Sequence, residues 1–357
     1  MKNATGSLAI LGSGETSPNL VSVHRELLNG LDDSSDIFMI DSPFGFQENA
    51  NQLVEKIIDF YKVSLNVDMK LATYRKIEEL HSKSFFKSIQ LLENASFIFA
   101  GPGSPSYASK LWYGNEFQQT LKNHLINGNN SLFASAAAST LGEYTLPVYE
   151  IYKVGQDPYW EKGLNILDVY GLSCTVVPHF NNAEGGNHDT SFSYVGENRM
   201  KTLLDNSYSN ILGIDEHTAL IISGKKETFK VVGLGNVTVL NNEGTHVFEK
   251  DSEESLSKLQ KLLISDKKSS VEIIDSKATE VNSADKATLK EIANLEIQIE
   301  SNEKNNERFE MLVENLILLR SKLRNEKNYE LSDQVRDILE SSGLQIEDSE
   351  QGIQWKV

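Results

Sequence analysis

The chain has 357 residues, of which 39% are hydrophobic and 24% charged, a balance that fits a folded protein rather than a disordered one. Its formal charge of −17 repels phosphate backbones over most of the surface, so any nucleic-acid contact would need a local basic patch. The single cysteine, Cys174, excludes an internal disulfide and a cysteine-rich zinc site. No apolar run approaches the roughly 20 residues of a membrane helix, and Met1–Leu11 shows no secretion signal, so a cytoplasmic protein without membrane contact is expected.

Short apolar runs alternate with helical patterns, which predicts an α/β fold with a mostly parallel, doubly wound sheet. Strands are expected at Ser7–Leu11, Asp36–Ile40, Val67–Ala72, Ser96–Ala100, Ser131–Ser135 and Cys174–Val177, with a helix over Gln47–Tyr61. Asp36–Ile40 runs into Asp41-Ser42-Pro43-Phe44-Gly45-Phe46. Two longer strands are expected at Ile211–Ile222 and Phe229–Leu240, and Leu256–Ile264 reads as a closing helix. This predicts a first domain over 1–264 and a linker over 265–285, rich in Ser, Lys, Asp and Glu. A small helical domain over 286–357 follows, with Gly343 at a helix end and an extended tail after it.

Four segments carry chemistry. Phe133-Ala134-Ser135-Ala136-Ala137-Ala138-Ser139 takes a strand through a serine among small residues into a helix, as a nucleophile elbow requires; it equally describes a tightly packed turn. Gly101-Pro102-Gly103-Ser104-Pro105 could turn backbone N–H groups toward an oxyanion. Pro178-His179-Phe180 opens a polar loop at a strand end, where a histidine can serve a serine as base. Within that loop His179, Glu184, His188 and Asp189 lack a zinc-type spacing, so no metal is expected. Gly213-Ile214-Asp215-Glu216-His217-Thr218-Ala219-Leu220 could orient an imidazole or form a solvated turn. Gly12-Ser13-Gly14-Glu15 lacks the six-residue dinucleotide spacing, so no cofactor is expected.

In order and spacing these segments resemble the dipeptidase E and cyanophycinase serine peptidases of the class I glutamine amidotransferase-like superfamily, over about Leu8 to Phe248. The resemblance implies Ser135 as nucleophile and His179 as base, with Glu150 or Glu216 as the third member and the amides of Gly103 and Ala136 as oxyanion donors. It implies a small peptide or amide as substrate. The chain departs from the family at both elbow glycines, which are Phe133 and Ala137 here. The rival reading is a non-catalytic binding protein that keeps a degenerate hydrolase pocket and whose tail docks tRNA or a protein.

The tail, from Leu319 through the Asp348 to Lys356 ending, resembles the C-terminal region of cysteinyl-tRNA synthetase, which helps recognise the anticodon. This implies a tRNA contact, with Arg320, Lys322, Arg324 and Lys327 as the basic cluster, and no aminoacylation. Residues 286–357 nevertheless hold ten basic and fifteen acidic residues, a net of −5.

Overall fold

The computed structural model describes residues 4–32, 34–205, 209–263, 283–302, 306–342, 344–349 and 352–356. The expected linker at 265–285 lies, up to residue 282, outside the described residues, as does Gly343. The chain divides into two compact units, Met1–Glu78 with Leu91–Lys277 and Glu79–Gln90 with Ala278–Val357.

The first unit is an α/β structure built on an eight-stranded sheet. Its strands run in the order Glu253–Ser255, Thr228–Gly233, Thr218–Ser223, Ser7–Leu11, Asn130–Ala134, Phe97–Ala100, Ile37–Ile40 and Lys70–Ala72. From Ser7–Leu11 to Lys70–Ala72 every pairing is parallel; from Glu253–Ser255 to Ser7–Leu11 every pairing is antiparallel. The inner parallel strands Ile37–Ile40 and Phe97–Ala100 are buried along their length because helices cover both faces, whereas the edge strand Lys70–Ala72 begins exposed. On one face Ala9, Leu11, Met39, Phe97, Phe99, Leu132 and Ala134 pack with Val23, Leu27, Val54 and Ile57 from the helices Val21–Leu28 and Ala50–Phe60. On the other, Trp112 and Phe133 meet edge to face, with ring centroids 6.4 Å apart.

The two long late strands do not exist as such. Ile211–Ile222 is cut at Asp215-Glu216-His217 into Ile211–Ile214 and Thr218–Ser223, and Phe229–Leu240 is cut into Thr228–Gly233 and Val237–Asn241. The outer pieces form a second sheet, ordered Gly244–Phe248, Val237–Asn241, Ile211–Ile214 and Thr175–Val177. Each apolar run thus serves two sheets, and the polar residues between its halves are the crossovers. The two crossovers are tied together: Leu234 N donates to His217 O at 3.0 Å and Asn236 N to Asp215 Oδ2 at 2.8 Å.

In the second unit the helices Ser283–Asn302, Asn306–Asn325 and Tyr329–Ser341 precede an antiparallel hairpin of Gln345–Ser349 and Gly352–Lys356. Leu289, Ile292, Leu312, Leu316, Leu319, Leu323, Val335 and Ile338 are buried. Arg320 is fully buried too, which removes it from the basic surface cluster; Lys322, Arg324 and Lys327 are exposed. Helical spacing explains this, since Leu316 and Leu323 stand four residues before and three after Arg320 on the inward face.

Two histidines of the first unit are buried and neutral. His24 accepts from Tyr61 Oη at Nδ1 (2.9 Å) and donates from Nε2 to Glu15 O (2.7 Å). His124 donates from Nε2 to Asn130 O at 2.9 Å. Burial pushes both down from 6.5 to about 4, so the unfolded chain takes up these protons first. Their contribution is complete above pH 6.5 and is lost as the pH falls toward 4. Stability is therefore expected to drop between pH 6.5 and 4.5, by on the order of 3 kcal/mol per histidine at the limit. The double variant His24→Gln, His124→Gln should show a flatter dependence in denaturant unfolding. Parallel slopes for the two proteins would contradict this account.

Candidate active site

The carboxyl ends of the parallel strands lie side by side, because Leu11 is in register with Ala134, and Ile40 with Ala100. Open α/β sheets place their sites at such ends. After Ala134 the chain reverses sharply at Ser135, whose φ of 52° and ψ of −118° are foreign to an ordinary L-residue. Ser135 N donates to Leu11 O at 3.0 Å and Ser139 N to Ser135 O at 3.1 Å, which fixes both sides of the turn. Ala134, Ala136, Ala137 and Ala138 are buried, and larger side chains would not fit where backbones pack so closely.

Phe133 does not fill this turn. As the residue two before Ser135 it belongs to the strand, is 1% exposed, and turns its ring to Trp112 in the core. Ala137 is fully buried and its amide donates to Gly101 O at 3.2 Å, tying the helix Ala136–Ser139 to the glycine turn. Phe133 and Ala137 are thus both accommodated by packing.

Ser135 Oγ lies 2.8 Å from His179 Nε2, and His179 Nδ1 lies 2.9 Å from Glu216 Oε1. The three residues come from the ends of three separate strands. His179 follows Thr175–Val177 with a φ of 48°, and Glu216 sits in the crossover after Ile211–Ile214. Since a carboxylate only accepts, Nδ1 donates and Nε2 is left to accept from the serine hydroxyl. The hydrogen bond from His179 holds the Glu216 carboxyl below its ordinary value of 4.5 against the opposing effect of burial.

The other expected acid is elsewhere. Glu150 Oε1 accepts from Ser106 Oγ at 2.7 Å, and His179 takes Glu216 instead. Two residues that sequence reading did not single out complete the acid's setting. Asn182 Nδ2 donates to Glu216 Oε1 at 2.7 Å, and Asn181 Oδ1 accepts from Glu216 N at 2.8 Å. The only hint was their place directly after His179-Phe180. The ring of Tyr194 lies 5.6 Å from that of His179 at the end of a left-handed run, Phe192–Tyr194.

The weighed metal ligands scatter. His179 is engaged as above, Glu184 Oε2 accepts from Tyr194 Oη at 3.1 Å, and His188 stacks on Tyr152. Asp189 accepts from Ser191 and from Glu197 N. Among the described residues no group of three or more His, Cys, Asp or Glu is placed to hold a metal ion.

Gly103 has a φ of 145° and approaches Pro43 so closely that a Cβ would lie 1.9 Å from its carbonyl oxygen. Among the described residues the N–H groups of Gly103 and Ala136 donate to no protein atom.

No protein-family model matches the chain. Its fold is similar to that of a peptidase from an acI-B1 Actinobacterium, with a TM-score of 0.58 and 22% identity, covering 71% of this chain and 98% of that one. The likeness is one of fold. A stretch of 47 residues, 13% of this chain, is 45% identical to the cysteine–tRNA ligases of Thermococcus onnurineus and Thermococcus kodakarensis. That stretch spans 10% of the length of those ligases.

The packing of Phe133 gives a direct check. Phe133→Ala should destabilise the first unit by about 3–5 kcal/mol in urea unfolding, as for other buried aromatic residues. A change under about 1 kcal/mol would place the ring outside the core.

Proposed function

We propose that the first unit is a serine hydrolase of amide or peptide bonds, with Ser135 as nucleophile, His179 as general base and Glu216 as the group that orients the imidazole. The observation that carries this reading is the continuous chain of 2.8 and 2.9 Å contacts from Ser135 through His179 to Glu216. A peptidase-like fold around it agrees with that chemistry.

The reaction needs only these groups, the substrate and one water molecule. Ser135 Oγ attacks the scissile carbonyl carbon as its proton passes to His179 Nε2. The carbonyl oxygen becomes an oxyanion, for which the free N–H groups of Gly103 and Ala136 are the candidate donors. On collapse the C–N bond breaks, and His179 gives its proton to the leaving amine. Water then attacks the ester as His179 takes its proton, and His179 passes that proton to Ser135 Oγ as the acyl C–O bond breaks and the acid departs. Glu216 stays ionised and steadies the imidazolium. Substrates carried by this reading are small peptides or amides.

Ser135→Ala is expected to abolish covalent labelling by a fluorophosphonate, with peptide mapping placing the wild-type adduct on Ser135. Glu216→Gln should slow labelling by several orders of magnitude, roughly 10⁴-fold where the histidine loses its orienting acid. Glu150→Gln should label at the wild-type rate. Labelling that persists in Ser135→Ala would move the nucleophile elsewhere, and a wild-type protein that takes no label would favour the binding-protein reading.

For the second unit we propose an RNA contact, on the 47-residue likeness to the two ligases. With Arg320 buried, Lys322, Arg324 and Lys327 are its cationic groups. The full chain should bind tRNA in preference to other RNA at low salt, with affinity falling as salt rises. Filter binding that finds no preference would refute it.

A further inference from the structure

The turn after the strand Ile37–Ile40 takes no part in the steps above, yet it begins with a fully buried carboxylate. Asp41 has no exposed side-chain surface, and its Oδ2 lies 2.6 Å from Nε of Arg75, whose side chain is 23% exposed. Thr73 Oγ1 donates to the same oxygen at 2.9 Å, and Tyr74 N donates to Oδ1 at 3.3 Å. Arg75 Nη1 reaches on to Asn51 Oδ1 at 2.7 Å. A buried pair of this kind contributes little net stability, because the loss of hydration offsets the attraction. What it does supply is direction, since the hydrogen bonds that converge on Asp41 from Arg75, Thr73 and Tyr74 restrict its orientation.

That direction is passed to the backbone. Asp41 O accepts from Phe44 N at 3.2 Å and Ser42 O from Gly45 N at 3.1 Å, closing the tight turn Ser42–Phe44. The Arg75 side chain also lies against Gly45, 2.8 Å from where a Cβ would stand. The turn presents the carbonyl of Pro43 to the glycine loop, where Ser104 N donates to it at 2.8 Å. Gly103 presses on the same carbonyl, and two residues earlier Gly101 O accepts from Ala137 N at 3.2 Å. The loop around Gly103 is thus held at Ser104 by the Pro43 carbonyl and at Gly101 by the helix that follows Ser135.

We propose that the Asp41–Arg75 pair is a positioning device for the oxyanion donor: it fixes the Ser42–Phe44 turn, and the turn sets the direction of the Gly103 N–H relative to Ser135. The proposal rests on the hydrolase reading. A donor that is aimed at the oxyanion acts on the transition state, so its misalignment lowers the rate of the chemical step and leaves ground-state binding nearly unchanged.

The test is the saturation kinetics of an alkyl fluorophosphonate on the full-length protein. In that reaction Ser135 Oγ displaces fluoride while the phosphoryl oxygen occupies the donor site. Asp41→Asn and Arg75→Gln should each lower the limiting rate by about tenfold or more, short of the roughly 10²–10³-fold seen when a donor is deleted outright. The half-saturating concentration should stay within about twofold, a split that general loosening of the fold would not produce. The double variant should be no slower than Asp41→Asn alone, because both changes act through one contact. Wild-type limiting rates in both single variants overturn the proposal. If Asp41→Asn does not fold, Arg75→Gln decides: a slowed limiting rate supports the proposal and a wild-type rate overturns it. A wild-type protein without label at Ser135 overturns the hydrolase reading and this proposal together.

Discussion

The site depends on Ser135 being held at φ 52° and ψ −118°. A non-glycine residue in such a region costs on the order of 1–3 kcal/mol and persists only where its surroundings over-determine it. Here they do. The amide of Ser135 is bonded to Leu11 O, its carbonyl receives Ser139 N, and buried alanines surround it. The same constraint recurs around it, since His179 and His217 also have positive φ, at 48° and 51°. The chain is bent out of its ordinary conformations at the three strand ends that meet at Ser135. Under the proposed hydrolase reading, this strain serves chemistry rather than stability.

The parallel part of the sheet was legible because its inner strands are buried on both faces and so read as unbroken apolar runs, such as Phe97–Ala100 and Ile37–Ile40. The same signal misled at Ile211–Ile222. Apolarity reports burial but not which sheet does the burying, and only the polar insert Asp215-Glu216-His217 marked the change of sheet. That insert holds Glu216, so the feature that broke the strand is also the one that carries the acid. Glu150 and Glu216 could not be separated beforehand, because the choice rests on a contact between His179 and a crossover 37 residues away.

Phe133 shows the value of strand alternation. Beside Ser135 in sequence it looks like an obstruction of the elbow, but it lies on the strand before the reversal and its ring joins Trp112 in the core. Arg320 is the converse case: near Lys322 and Arg324 in sequence, it stands on the inward face of its helix. Asn182 had only its place after His179-Phe180 as a signal, and Asp41 had none that tied it to the site. Each meets a partner 34 residues away, Asn182 with Glu216 and Asp41 with Arg75. Among the described residues no helix is long and apolar enough to cross a membrane.

The central claim is that Glu216 and Ser135 together set the state of one imidazole. It is tested most directly by nitrogen NMR of the protein labelled with 15N-histidine, read on His179 at a pH where the ring is neutral. The account predicts a proton on Nδ1, shared with Glu216, and a bare Nε2 that accepts from Ser135, with the Nδ1 preference lost in Glu216→Gln. A neutral ring carrying its proton on Nε2 in the wild-type protein would contradict it, because Nε2, the nitrogen that faces Ser135, then has no lone pair to take the serine proton.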